Sequence, residues 1–304
     1  MNANRAWWML FFCNLFWAGN YIFGKYVITQ MSPLWLTFSR WVLALVVLLP
    51  LAQLMEKPDW KLVAKQWLPL ACLGLTGVIG YNMFLYSALV HTSATNAALV
   101  TALNPGVIVL FSFFVLRENI TRLQGLGFLV SLFGVLVILT RGQLLQIFAV
   151  EYNRGDLLTL GAVLVWTLYS ILGKRIKGVQ PITATAASSF LAVAMMLPFA
   201  IAQGVDLTSL DAVAITGLFY IALFPSVCSF LFWNLSIRVL GASKAGISLN
   251  LIPVLTAIIS VMLGEHISAS QVWGGLLVFA GVMLASGITD MIREKKKRAS
   301  ELLQ

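Results

Sequence analysis

The chain has 304 residues, 60% of them hydrophobic and only 10% charged, with a mean hydropathy of +0.91. Soluble domains carry about a quarter charged residues, so this chain has too few ionic groups to cover a water-exposed surface. That excludes a cytosolic enzyme, a disordered chain and a nucleic-acid binder, despite a net charge of +9.

The composition is that of an integral membrane protein. A hydrocarbon core about 30 Å thick needs about 20 apolar helical residues. Taken in chain order, ten such runs occupy 6–25, 34–54, 68–90, 95–116, 123–140, 156–174, 184–203, 212–237, 243–263 and 270–288. They are continuous, not alternating, which predicts helices and not barrel strands. Arg5 ahead of the first run imitates a signal peptide. The run is too long for one, however, and no small-x-small cleavage site follows, so it is expected to be retained. Cys13, Cys72 and Cys228 all lie in apolar runs and read as small buried hydrophobes, not a disulfide frame or a metal site.

With a cytoplasmic N-terminus, sixteen basic residues fall in inside segments and three, Lys25, Arg141 and Arg154, fall outside. This positive-inside bias predicts an even number of spans and both termini in the cytoplasm. The basic tail, residues 289–304, reads as a solvated flank, with a lipid-binding switch as the sharper alternative.

The two halves resemble each other. Trp17 to Lys25 aligns with Trp166 to Lys174, Leu49-Pro50 with Leu197-Pro198, Leu103-Asn104-Pro105 with Leu251-Ile252-Pro253, and Leu116 to Ile120 with Leu263 to Ile267. Gln124 and Gly134 likewise match Gln271 and Gly281. Each half holds five spans, and an odd number makes the second copy enter the membrane from the opposite side. Residues 6–140 and 156–288 are therefore expected to be two inverted repeats, the architecture that alternating access uses.

Pro105 and Pro253 fall near the middle of their runs and deprive the Thr101 and Leu249 carbonyls of helical partners. These are either packing kinks or breaks that present polar backbone to a central space. Thr101, Asn104, Ser248 and Asn250 stand beside them as candidate ligands for a polar solute. Trp17 and Asn20 share a face with repeat-related Trp166 and Tyr169, Asn82 and Tyr86 lie four apart, and Phe230, Trp233 and Asn234 follow Ser226. Aromatics near helix ends belong either to the interfacial belt or to a cavity wall. A cavity of rings and amides would suit an amphipathic solute, not a bare ion.

All eleven acids lie in loops, tails or span ends. Glu118 and Glu265 close matched spans, as ties between helices or as gating groups. Arg40, about six residues into its span, is close enough to the end to snorkel outward. A carboxylate site and a tie to a helix end are its other readings. Neither His91 nor His266 belongs to a metal-binding or catalytic cluster, and no paired Asp, Ser/His pair, HExxH or Walker sequence is present. No cofactor or metal is expected, and no enzymatic activity.

The joint order of Trp17-x-x-Asn20, Arg40, Thr92 to Ala98, Pro105 and Leu116-x-Glu118, partly repeated by Gly241 to Gly246, Pro253 and Leu263-Gly-Glu265, resembles the EamA domain of the drug/metabolite transporter superfamily. Asn119 and His266 depart from it where a basic residue often follows the glutamate. The resemblance implies an all-α membrane protein of ten transmembrane helices in two inverted five-helix repeats. It further implies efflux of small metabolites such as amino acids, in a bacterial inner membrane. A passive channel and an intramembrane enzyme are the alternatives. The expected partners are a small-molecule substrate and the lipid bilayer, with a homodimer left open.

Overall fold

The computed structural model describes residues 2–116, 121–146, 152–173, 176, 178–204, 210–240 and 248–285. Among these the chain is helical and forms no strand. Helix α1 (Ala3–Val27) begins on Asn2, whose side chain accepts from the Arg5 N–H. Helix α2 (Pro33–Met55) begins on Ser32, with Pro33 in the first turn, where its missing donor has no partner to lose. A short α3 (Trp60–Lys65) precedes α4 (Trp67–Leu73), which passes through a wide π-helical turn, Gly74–Gly80, into α5 (Tyr81–His91). The first half ends with α6 (Ala94–Thr101), α7 (Asn104–Leu116) and α8 (Arg122–Leu139).

The second half contains α9 (Arg154–Gly173), α10 (Pro181–Gln203) and α11 (Ala212–Leu223). A second π-helical turn, Phe224–Cys228, leads into α12 (Ser229–Leu240), followed by α13 (Leu251–Met262) and α14 (Ala269–Ala285).

Among the described residues, five segments are long and apolar enough to cross a membrane: Pro33–Met55, Trp67–His91, Arg154–Gly173, Pro181–Gln203 and Ala212–Trp233. Val46, Leu54, Leu129, Phe199, Ile201 and Trp273 are exposed, an apolar exterior suited to hydrocarbon and not to water. Among the described residues, four of the ten runs differ from the continuous helices expected of them, and one of these, 68–90, holds the wide turn Gly74–Gly80 already described. The run 95–116 is interrupted at Ala102 and Leu103, just before Pro105. The run 212–237 widens at Phe224–Cys228, because Pro225 has no N–H to offer the Ile221 carbonyl. The Ser226 hydroxyl donates to that carbonyl instead, at 2.9 Å. In the run 243–263, α13 starts after a turn at Leu249 and Asn250, ahead of Pro253.

Helix α2 lies antiparallel to α10. Ser32 donates to Gln203 at one end, and Glu56 accepts from the Ile182 and Thr183 N–H groups at the other. Helix α8 lies antiparallel to α14, where Gly134 faces Gly274 and Val278 while Gly281 faces Gly127 and Ser131. Helix α1 packs on α11, α12 and α13, and α9 packs on α4, α5, α6 and α7. The α1–α12 contact is laced by hydroxyls: Ser229 donates to the Cys13 carbonyl at 3.2 Å and Ser236 to the Ala6 carbonyl at 3.1 Å.

Outside the spans, Asp211 caps α11 and joins it to α1, accepting from Tyr26 at 2.6 Å, Gln30 at 2.8 Å and the Ala214 N–H at 2.7 Å. The Tyr26 hydroxyl, then the Ala214 N–H and Gln30, hold its carboxyl below the ordinary range. A depressed folded pKa means that this tie stabilises above the unfolded value and fades as pH falls through the folded one. Protection of the Ala214 amide, corrected for intrinsic exchange, is therefore expected to fall only in acid, and Asp211→Asn is expected to lower it already at neutral pH.

Candidate functional site

Arg40 does not snorkel. It points inward from α2, only 4% exposed, and meets groups from three other elements. Its Nε and Nη2 donate to Ser226 Oγ at 3.1 and 2.6 Å. Its Nη1 donates to Asn82 Oδ1 at 2.8 Å, to Asn20 Oδ1 at 3.2 Å and to the Tyr86 hydroxyl, which itself donates to Asn20 Oδ1 at 2.9 Å.

Local sequence explains this convergence. Asn82 follows the first wide turn, and its amide donates to the Gly77 and Val78 carbonyls that the turn loosens. Ser226 does the same for Ile221 in the second. Each turn thus orients one polar side chain, and Arg40 spans the two. A charge in the bilayer interior costs about 2.5–3.5 kcal/mol on insertion scales and is tolerated where other groups surround it. Here every partner is neutral, and among the described residues no carboxylate touches the guanidinium.

Rings enclose the cluster. The guanidinium carbon lies 5.3 Å from the Trp41 ring centroid and 5.8 Å from that of Tyr86, within cation–π range. Trp41 meets Phe230 at 6.2 Å, Phe230 meets Trp17 at 6.2 Å, and Trp17 meets Trp233 at 5.8 Å. The Trp17 indole donates to the Pro225 carbonyl at 3.2 Å, on the second wide turn. The repeat-related Trp166 lies 4.9 Å from Tyr81 and 5.0 Å from Tyr169. Tyr169 lies so close to Gly77 that a Cβ there would fall 2.3 Å from its ring. Tyr81 reaches Tyr21 at 3.3 Å, and Tyr21 reaches Thr101 at 2.7 Å.

Asn20, Asn82 and Tyr86 therefore gather on Arg40, while Trp17, Phe230 and Trp233 form one aromatic wall and Trp166 and Tyr169 another. Thr101 joins through Tyr21. Pro105 and Pro253 lie in the first turns of α7 and α13. Asn104 opens α7 with its Oδ1 buried and without a partner among the described residues, and Asn250 has the same condition at its Nδ2. Ser248 accepts from Asn14, so it and Asn250 form a separate group beside a pocket of about 220 Å³ that Trp7, Leu10, Phe11 and Phe279 also line. Glu265 accepts from Thr95 at 3.4 Å, as a helix tie would. Glu118 and the Asn234 side chain lie outside the described residues.

Sequence reasoning passed over Tyr21, Trp41 and Tyr81, which lie on the same inward faces. It also passed over Glu56 and Asp156, which lie at helix ends yet are buried. Asp156 accepts from Thr92 at 2.6 Å and from Asn96. It borders an open polar cleft of about 600 Å³, with Lys25, His91, Arg141, Asn153 and Gln271 around it. All of these stand on the face that the charge bias assigns to the outside.

Comparison with known proteins agrees with this architecture. The model of the EamA-like transporter family matches residues 4–140 and 153–287. The "Uncharacterized transporter YyaM" of Bacillus subtilis is 30% identical over 97% of each chain. A "Probable terminal-alkyne amino-acid exporter" of Streptantibioticus cattleyicolor is 26% identical over 93% of this chain and 94% of that one. A solved crystal structure, 20% identical, superposes with a TM-score of 0.66 over 96% of this chain and 99% of its own.

Proposed function

Because the chain belongs to the EamA-like transporter family, we propose that it is a secondary transporter which exports amino acids or related amphipathic metabolites by alternating access. Its helices form ten spans in two inverted halves, with both termini in the cytoplasm of a bacterial cell. The observation that carries this reading is the pairing of repeat-related helices. Exchanging the halves converts the packing of α1 into that of α9, while α2 meets its own counterpart α10 and α8 meets α14, both antiparallel. Equivalent helices that run antiparallel are what an axis lying in the membrane plane produces. Two such halves have mirrored conformations of similar energy, open to opposite sides.

The name of the Streptantibioticus relative supports an amino-acid-like cargo, and the rings and amides around Arg40 supply apolar contact and polar recognition together. The unpartnered Asn104 Oδ1, beside the interruption of the α6–α7 run, is an acceptor of the kind an ammonium group needs.

Counterflow of radiolabelled amino acids in proteoliposomes tests the proposal. Saturable exchange is expected, and a linear flux would mean a channel. Asn104→Leu and Trp166→Ala are expected to lower exchange about tenfold or more, the loss of one good polar or aromatic contact, while inserting normally. Wild-type rates in both variants would remove these residues from the site. Cysteine labelling that places the two termini on different sides would end the inverted-repeat reading.

A further inference from the structure

We infer that Arg40 is the docking point for a carboxylate, and that the cargo is a monocarboxylate with an apolar flank. This rests on the transport reading but concerns binding alone. Arg40 Nη2 has two N–H bonds and one acceptor, Ser226 Oγ, among the described residues. Asn20 uses only its Oδ1, leaving its amide N–H groups without a described acceptor. Trp41, 3% exposed and directly beneath the guanidinium, has its indole N–H buried with no partner among the described residues. Donors are in surplus around one uncompensated positive charge.

Neutral amides and hydroxyls fill part of the guanidinium's hydrogen-bonding capacity but none of its charge. A carboxylate supplies what is missing: one negative charge and two oxygens in the fork geometry that a guanidinium matches bidentately. A single cation in the cluster sets the stoichiometry at one negative charge. The ring faces of Trp17, Trp41, Tyr86 and Phe230 then offer apolar surface to the rest of the molecule. Because the guanidinium is enclosed here, the ligand reaches it when the halves part, taking positions that Asn20 and Tyr86 now fill.

The test uses the full chain in nanodiscs of phosphatidylcholine, which contribute no anionic lipid, with tryptophan fluorescence as the readout. The probes are two acid–amide pairs, 3-phenylpropionate with 3-phenylpropanamide and L-phenylalanine with L-phenylalaninamide. Each acid is expected to bind about tenfold or more tighter than its amide, the scale of a charge-assisted pair. Arg40→Gln is expected to erase that preference, though it also strips four neighbours of a partner and risks misfolding. Asn20→Asp avoids that problem. It keeps the acceptor that Arg40 and Tyr86 use and adds an internal counter-charge, so the melting temperature should hold or rise while the acid preference vanishes.

Equal binding of acid and amide by the wild type, an acid preference surviving in Asn20→Asp, or no saturable response to either acid would overturn the inference. Flux of the same probes separates the two proposals. Arg40-dependent binding without flux keeps the site and removes the transporter, whereas equal flux of acid and amide keeps the transporter and removes the site.

Discussion

Gly281→Leu is expected to prevent α8 and α14 from docking and to lower stability by at least about 3 kcal/mol, the upper range for overpacking a close contact. A Cβ at Gly281 would lie 2.3 Å from the Ser131 nitrogen and 2.5 Å from the Gly127 carbonyl oxygen. Both are backbone atoms of a helix and cannot swing aside. A Cβ at the counterpart Gly134 would lie 2.7 Å from the Gly274 carbonyl oxygen and from the Val278 nitrogen. Inside a bilayer no hydrophobic force drives helices together, so close contact of this kind is a main source of cohesion. Gly125, on the same α8, has nothing within 4 Å of its would-be Cβ. Gly125→Leu is therefore expected to change stability by about 0.5 kcal/mol or less. Thermal unfolding in micelles compares the two, and equal losses would show that the glycine contact is not the cause.

The second large effect is expected at Glu56. Its carboxylate, 8% exposed, accepts from the Ile182 N–H at 3.1 Å and from both the N–H and the hydroxyl of Thr183 at 2.7 Å. These donors open α10, where the helix dipole favours a negative charge. Glu56→Ala would leave them buried without an acceptor, at about 1–3 kcal/mol for each unmet group, for a total of about 3 kcal/mol or more. Glu56→Gln retains one oxygen and should lose less than half as much. Exchange at the first amides of α10 localises the damage. Protection unchanged in Glu56→Ala would mean that water replaces the cap at no cost.

Much of this architecture is legible in the sequence because a membrane imposes length and apolarity on every span. The predicted runs 34–54, 123–140 and 184–203 fall on α2, α8 and α10 with no edge off by more than three residues. The interruption before Pro105 follows from the chemistry of proline alone. The wide turns are harder to read. One depends on Pro225 together with a hydroxyl at the next position, and the other, Gly74–Gly80, contains no proline.

The direction of Arg40 was illegible for a different reason. Its distance from the helix end permits snorkelling, and only the approach of Asn20, Asn82, Tyr86 and Ser226 from distant parts of the chain makes the interior the better solvent. Glu56 shows the same limit. An acid at a span end reads as surface until the start of α10, far along the chain, is brought against it. Composition and periodicity report what a residue is and which way its own helix faces, and partners from other helices decide the rest.

The two wide turns each hold one residue more than an α-helical turn accommodates. Were either to tighten to ordinary pitch, the extra residue would pass along the helix and swivel everything beyond it by about 100°, with an advance of about 1.5 Å. Asn82 and Ser226 sit where that swivel begins, so one residue of slack suffices to turn an acceptor away from Arg40 without unwinding a helix. The grip on the guanidinium is thereby geared to helix rotation, and each half of the molecule carries its own crank.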